Sequence, residues 1–321
     1  MKLTSIISNR NIDPHHANDL VYEWEDELCR YFKVKLFYNH ALKNERYSKY
    51  IPFILNWFQT NKPAFTYEMC TYRHNGNNKG NIVPCIVDFY LHKPWQIRLW
   101  YWQYWRNPVI CVSSREVYAF LREQMGLKKI YHLPLSLSDK YRITEDAKFE
   151  KRYDILIAGR QNAILKEWLT QYMANHPDTT YLRRDIKNGQ PFYINQNGDV
   201  VIEGDSRDIY MQLMRKTRAG IYAPPGVDGG RKTNGFHQVT PRFLEIIASG
   251  CHPLMRYPMN ADTDYFQLSL FGPHLESYEQ FEAAFDAARK ESVDMKKYAD
   301  YMSLHYTSVV AKQLEQILSV I

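Results

Sequence analysis

The residues best placed to do chemistry lie between Val239 and Leu254, which read V-T-P-R-F-L-E-I-I-A-S-G-C-H-P-L. Thr240 is a suitable N-cap, because its hydroxyl can accept an orphan N–H of the first turn. Pro241 fits the first helical position, where its missing N–H costs nothing. Gly250 fits the left-handed residue after the last turn. Phe243, Leu244 and Ile247 supply an apolar face, with Glu245 among them. The preceding loop, Pro224 to Gln238, carries four glycines together with Arg231 and Lys232. A helix start with such a lead-in favours anions through its N–H groups and dipole. The plainer reading of the same residues is a surface loop and a capped core helix with an exposed Glu.

A second group is Gly159-Arg160, which follows the short apolar run Tyr153 to Ala158. A side chain there emerges at the carboxyl end of a parallel sheet, where ligands of open α/β sheets gather. Guanidinium can hold two phosphate oxygens at once. The competing reading makes Arg160 a solvated strand-end residue or a partner for Asp185 or another acid. Trp95 to Arg106 (WQIRLWYWQYWR) places Trp95, Leu99, Trp102 and Trp105 or Arg106 on one helical stripe. It reads as a helix packed on a sheet, as a membrane-surface element, or as an aromatic acceptor platform. Five cysteines form no CxxC pair, and no Cys/His cluster has zinc spacing. Cys85 and Cys111 sit in apolar runs and read as buried thiols of a reducing compartment. The basic pairs Arg183-Arg184 and Arg215-Lys216 read as solvated ends.

These residues need elements to hold them. The 321 residues suggest two domains or one large one. A net charge of +6 is mild for this length and is not the concentrated charge of an obligate DNA binder. With 45% apolar and 24% charged residues, disorder, a disulfide scaffold and collagen-like fibre are excluded as descriptions of the whole. Aromatic content is high, with 25 Tyr and 7 Trp. No signal peptide and no spanning run of about 18 apolar residues is evident, so the expected location is cytoplasmic. In the first 140 residues, helices are expected at 18–32, 50–58 and 114–125. Buried strands are expected at 82–90 and 109–113, and turn chemistry fills Arg73 to Asn81. The charged stretch Asp139 to Arg152 marks a domain boundary. Beyond it, strands at 153–158, 179–182, 219–223 and 252–255 alternate with helices at 163–173, 208–217, 241–249, 277–290 and 306–321. That alternation is the pattern of a parallel α/β domain.

The stretch Thr240 to Leu254 resembles the nucleotide-sugar signature of GT-B-fold glycosyltransferases, particularly the group-1 and spore-maturation-type families. Their pattern is R-x-F-E-x-x-A-x-G-x-P followed by a strand. Ile155 to Arg160 resembles the first strand and turn of the same domain. The resemblance covers about 100 residues in the order Y-D-I-L-I-A-G-R, G-I-Y-A-P-P-G, T-P-R-F-L-E-I-I-A-S-G-C-H-P-L; the first domain matches only in layout. It implies two Rossmann-like domains facing a cleft, an acceptor-side domain at 1–140 and a nucleotide-sugar domain at 141–304. Residues 305–321 would cross back as a helix onto the first.

The resemblance also implies that Glu245 holds the donor ribose and that Thr240 and Arg242 lie near the phosphates. Gly159 and Arg160 would meet the diphosphate. Lys166 stands one residue beyond the commonest place of an assisting Lys. The usual second Glu of the retaining group falls on His237, so the two-Glu mechanism does not carry over, and retaining or inverting chemistry stays open. A general base for an inverting transfer would come from the loop Asp13 to Asp19, with His16 nearest the helix start. The plainer reading has Asn18 or Asp19 capping the helix and both histidines at the surface. Asp262-Thr263-Asp264 is a D-x-D, read here as a turn or helix cap, so no metal cofactor is expected.

The expected activity is transfer from a nucleoside diphosphate sugar to a glycan or glycolipid hydroxyl, in surface polysaccharide or glycoconjugate synthesis. No nucleic-acid partner is expected, and a peripheral contact with the inner face of the membrane through Trp95–Arg106 is one of the readings above. Rival readings are a sugar-nucleotide epimerase or hydrolase on the same fold, and a non-catalytic nucleotide- or nucleic-acid-binding protein.

Overall fold

The computed structural model describes residues 1–10, 18–38, 62–69, 79–187, 190–229 and 232–321. They form two units, each built on a six-stranded sheet. The first unit is Met1–Lys140 with Asn234–Phe236 and His305–Ile321; the second is Tyr141–Thr233 with His237–Leu304. The sequence reading leaves the loop 224–238 whole in the second domain, yet three of its residues belong to the first unit. Phe236 explains this, since its ring centroid lies 5.4 Å from that of Phe120 and 6.3 Å from that of Phe89. The Asn234 amide donates to the Tyr90 carbonyl at 2.6 Å.

Strands β1 (Ser5–Ser8), β2 (Lys35–Tyr38), β3 (Ala64–Glu68), β4 (Ile82–Ile86), β5 (Ile110–Val112) and β6 (Ile130–His132) make the first sheet. All pairings are parallel, in the order β2-β1-β3-β4-β5-β6. Such a sheet must be covered on both faces, so its strands read as unbroken apolar runs. Val83, Cys85 and Cys111 face α1 (Asp19–Phe32) and the C-terminal helix Thr307–Ser319, meeting Trp24, Leu28, Val310 and Leu314. Ile86, Ile110 and Val112 face the other way, onto Ile97 and Trp100 of α2 (Pro94–Gln103). Cys85 and Cys111 are register partners, and burial pushes the Cys111 thiol up to about 12. Helix α3 (Arg115–Ala119) starts where the Ser114 hydroxyl accepts the Val117 N–H at 3.1 Å. It runs on into a π-helical turn, Phe120–Gln124, instead of the single α-helix expected to Met125. The helix expected at 50–58 and most of the turn at 73–81 lie outside the described residues.

The second sheet holds β7 (Tyr153–Ile157), β8 (Tyr181–Lys187), β9 (Gln190–Asn195), β10 (Val200–Glu203), β11 (Thr217–Tyr222) and β12 (His252–Met255). Their order is β10-β9-β8-β7-β11-β12. Four strands are parallel, while β9 and β10 are antiparallel additions that the sequence reading misses. Helices α4 (Ala163–Asn175), α5 (Arg207–Arg215), α6 (Pro241–Ala248), α7 (Ala261–Tyr265), α8 (Tyr278–Lys290) and α9 (Met295–Met302) complete the unit. From β7 the chain builds outward through β8, β9 and β10, then returns to lay β11 on the opposite side of β7. The switch point therefore falls between β7 and β11, the expected place for a ligand crevice.

Candidate functional site

At the carboxyl end of β7 the chain turns through Gly159, whose φ is +67°. L side chains are strained in that region, and space forbids one as well: a Cβ would lie 2.6 Å from Arg242 Nη2. Arg242 Nη2 donates to the Ala158 carbonyl at 2.7 Å, and its guanidinium lies 5.6 Å from the Tyr210 ring centroid. The end of β7 is thus stapled to the first turn of α6.

One turn further along α6, Glu245 is only 5% exposed and accepts a hydrogen bond from Arg207 Nη1 at 2.7 Å. Arg207 is the first residue of α5, a start fixed by the Ser206 hydroxyl accepting the Ile209 N–H at 3.2 Å. Tyr210 follows one turn later. Burial, with the Glu245 charge adding to it, pushes its phenol well above the ordinary range. Alongside, Arg184 pairs with Asp205 at 2.6 Å, and the Tyr193 hydroxyl donates to the same carboxylate at 3.0 Å. Arg184 of the Arg183-Arg184 pair is half-buried in this ion pair, while Arg183 stays exposed, as expected of a solvated residue.

The glycine-rich loop after β11 is folded onto the start of α4. Asn162 caps that helix by accepting the Leu165 N–H at 3.1 Å, and its amide donates to the Val227 carbonyl at 3.0 Å. It also reaches Asp228 Oδ2 at 2.9 Å, and Arg256 holds Asp228 through two bonds of 2.6 and 2.8 Å. Gly226, at φ +84°, turns so closely that a Cβ would run into the Thr233 hydroxyl. His237, where the retaining group has its second Glu, is held to the Pro225 carbonyl at 3.0 Å.

Of the residues singled out from sequence, Gly159, Arg242 and Glu245 are brought together, with Tyr210 beside them. Arg160 is exposed next to them and has no hydrogen bond or ion pair among the described residues. Its proposed rival partner, Asp185, is engaged by Arg183 at 3.4 Å. Thr240 stands at the N-cap of α6, but its side chain makes no capping bond, which corrects the expectation. The residue is held instead by its own N–H, which donates to the Tyr222 hydroxyl at 2.9 Å. Lys166 is exposed on the outer face of α4 with Ala163, Thr170 and Ala174, and no contact joins it to Arg242 or Glu245. His16 lies outside the described residues.

Arg207 and Tyr210 are the members that sequence reasoning misses. Their signal was the capped start Ser206-Arg207 facing the same strand end. The exposed-Glu reading of Glu245 is overturned by its ion pair. Asp262 and Asp264 lie on α7, capped by Asn260 through a reciprocal bond with Thr263, and Asp262 is fully buried. Among the described residues, no three His, Cys, Asp or Glu side chains gather in a way that could hold a metal ion. Nor is any described helix long and apolar enough to cross a membrane.

The sheet edge thus offers an exposed guanidinium, a second one fixed by the backbone, a helix start with no side-chain cap and a buried carboxylate. That set suits a ligand with anionic groups at one end and hydroxyls at the other.

No protein-family model and no curated protein matches the chain. Solved structures do. AviGT4, a glycosyltransferase involved in avilamycin A biosynthesis, superposes with a TM-score of 0.58 at 10% identity, over 100% of this chain and 98% of that one. The DNA-modifying β-glucosyltransferase, solved with and without uridine diphosphoglucose, gives 0.50 at 10% identity, over 99% and 100%. The pneumococcal O-GlcNAc transferase GtfA gives 0.48 at 12% identity over 81% of this chain, which spans only 57% of that protein's length. The fold is the GT-B fold, with two Rossmann-like units.

Proposed function

We propose that the protein is a glycosyltransferase that binds a nucleoside diphosphate sugar at the carboxyl edge of the second sheet. It transfers the sugar to a hydroxyl of a glycan or glycolipid held by the first unit, in surface polysaccharide or glycoconjugate synthesis. The observation that carries this reading is the convergence of Gly159, Arg242 and Glu245 at the switch point, with Arg160 exposed beside them.

In this reading the departing diphosphate develops negative charge against Arg160 and the start of α6 at Thr240. Preorganised donors of this kind lower the barrier because they need no reorientation as charge develops. Arg242 fixes the turn that aims Arg160. Glu245 accepts from the ribose hydroxyls with the oxygen that Arg207 leaves available. These protein cations carry out the charge stabilisation that a metal would otherwise supply, so turnover persists in EDTA. Lys166 is kept as a secondary phosphate contact, and His16 as the base that takes the acceptor proton. Four thiols without disulfides, Cys29, Cys85, Cys111 and Cys251, favour a reducing compartment, the cytoplasm.

The test begins with a thermal-shift screen against UDP, GDP, CMP and dTDP sugars. For the nucleotide that binds, affinity is compared with its 2′-deoxy analogue. Wild type should prefer the ribonucleotide, and Glu245→Gln should abolish the preference. An equal preference in both would remove Glu245 from the ribose site. Release of nucleoside diphosphate and free sugar without any added acceptor would favour a hydrolase instead, and conversion of the nucleotide sugar into its epimer would favour an epimerase.

A further inference from the structure

Helix α2 is apolar on two sides, and among the described residues only one of them is packed. Its inner stripe, Ile97, Trp100 and Tyr104 just beyond the helix end, is buried. The Trp100 ring meets Phe89 at 4.8 Å and Tyr104 at 5.5 Å between centroids. The Tyr104 hydroxyl donates to Glu68 at 2.5 Å, which fixes the end of the helix. The outer stripe is the one the sequence picked out. Trp95, Leu99, Trp102 and Trp105 are 63%, 50%, 64% and 55% exposed. Spacings of four and three residues place Trp95, Leu99 and Trp102 in one line. Exposed apolar surface on this scale marks an interaction site.

The surrounding charge says what kind. From Phe89 to Arg115 the chain has no Asp or Glu, and its charged residues are Lys93, Arg98, Arg106 and Arg115. Lys93, Arg98 and Arg106 are exposed. The Arg106 guanidinium lies 5.0 Å from the Trp105 ring centroid. Lys129 reaches the Trp105 carbonyl at 2.9 Å, which brings the turn holding the exposed Lys128 to the same end of the patch.

We infer that this face of α2 seats the protein on an anionic lipid surface. Indole rings settle at the boundary between headgroups and acyl chains, where one edge is apolar and the N–H stays wet. Arginine and lysine beside them meet lipid phosphates. Leu99 between Trp95 and Trp102 makes the strip continuous, which acyl chains cover and a single sugar ring or nucleobase does not. The inference stands independently of the donor site, which uses other residues in the other unit.

The test is flotation of the full chain with vesicles of phosphatidylcholine alone and of phosphatidylcholine mixed with phosphatidylglycerol. Binding is expected to the mixed vesicles, with tryptophan emission shifting to the blue and binding weakening in salt. The double variant Trp95→Ser, Trp102→Ser should bind at least about tenfold more weakly, because most of the inserted apolar area is gone. Its melting temperature should hold, since both rings are exposed. Arg98→Glu with Arg106→Glu should abolish the preference for anionic vesicles. A wild-type chain that stays in solution with both vesicle types overturns the inference. So does vesicle binding that the tryptophan variant leaves unchanged. Salt-dependent binding of a single-stranded oligonucleotide, lost in the same variant while vesicles are ignored, would assign the face to nucleic acid and overturn it too.

Discussion

The carboxyl edges of the two sheets are built alike in topology and oppositely in charge. In the first sheet the switch point falls between β1 and β3. There the Ser8 hydroxyl donates to Glu25 at 2.6 Å, Arg10 Nε joins the same oxygen at 3.0 Å, and Glu68 takes the Tyr104 hydroxyl. Burial pushes Glu25 up to about 7, against the opposing pull of Ser8 and Arg10. In the second sheet the switch point gathers Arg242 against backbone and leaves Arg160 exposed. Among the described residues of the two edges, Arg10 at the first is held by Glu25 and Asp26, whereas Arg160 at the second has no acid partner. The difference teaches that shared topology supplies a crevice, while the side chains at the strand ends decide which ligand it receives.

The sharpest way to break this comparison is Arg160→Lys. If Arg160 meets the departing diphosphate, the loss of its two-pronged geometry should cut turnover about 10²–10³-fold. Stability should stay near wild type, since no described residue pairs with it. Turnover and melting temperature measured together decide the matter. Normal turnover would make the edge's charge incidental.

Arg207→Ala tests the other half of the cluster. It leaves the Glu245 carboxylate, 5% exposed, without its 2.7 Å partner. Removing one member of a buried pair costs about 3 kcal/mol, read by chemical denaturation. Glu245→Ala should cost a similar amount, so deleting this carboxylate lowers stability as well as any ligand affinity. A sequence-only view of Glu245 as a pure ligand contact would expect almost none. A change below about 0.5 kcal/mol in both variants, the level of ordinary surface substitutions, would show the pair to be solvated.

How much of this was legible follows from where each signal is stored. Helix α6 could be read almost to the residue, because Pro241 and Gly250 punctuate it and its apolar spacing is regular. The apolar runs of β4, β5, β7 and β11 were visible for the same local reason. The β9–β10 hairpin was missed although Asn197-Gly198 spells its turn, with Gly198 at φ +86°. Its strands are half-exposed and lack the continuous apolar runs of their parallel neighbours. The Arg207–Glu245 pair was invisible because 38 residues separate its members, and no local pattern encodes a contact across two helices. Phe236 was misassigned similarly: one aromatic anchor outweighs its flanking loop. Lys166 could be placed near the strand end by spacing alone, but the start of α4 at Ala163 turns it to the outer face.

The two units should also differ in acid. In the first unit, burial lowers His132 and His305 to about 4, and in the second it lowers His252, against the pull of the Glu291 carbonyl. A buried neutral imidazole binds its proton less readily folded than unfolded. Below about pH 6.5 the unfolded chain therefore holds more protons, and stability falls as pH drops toward 4. Glu25 has the opposite sign: its raised folded value makes stability fall as pH rises from 4.5 toward 7. The His305 share is isolated by comparing wild type with His305→Gln. From pH 7.5 to 5 the wild type should lose about 2 kcal/mol more than the variant. Parallel pH profiles would mean that His305 is hydrated.

The smallest expected effect contrasts two helix starts. Ser114 and Thr240 occupy the same position, N-cap, one in each unit. Ser114 is buried and its hydroxyl accepts the Val117 N–H at 3.1 Å, whereas the Thr240 side chain makes no capping bond. A lost cap of the Ser114 kind costs about 1 kcal/mol. Ser114→Ala should therefore lower stability by about that much, while Thr240→Ala should change it by less than about 0.5 kcal/mol. The effect of Thr240→Ala should appear on the ligand instead. The Thr240 hydroxyl meets the Tyr222 phenol and no N–H of its own helix, and from a positive helix end it can turn to a phosphate oxygen. Nucleotide affinity by calorimetry should thus weaken in Thr240→Ala and stay unchanged in Ser114→Ala. Should Thr240→Ala destabilise as much as Ser114→Ala and leave affinity alone, Thr240 is an ordinary cap, and the second edge loses one of the groups that distinguish it from the first.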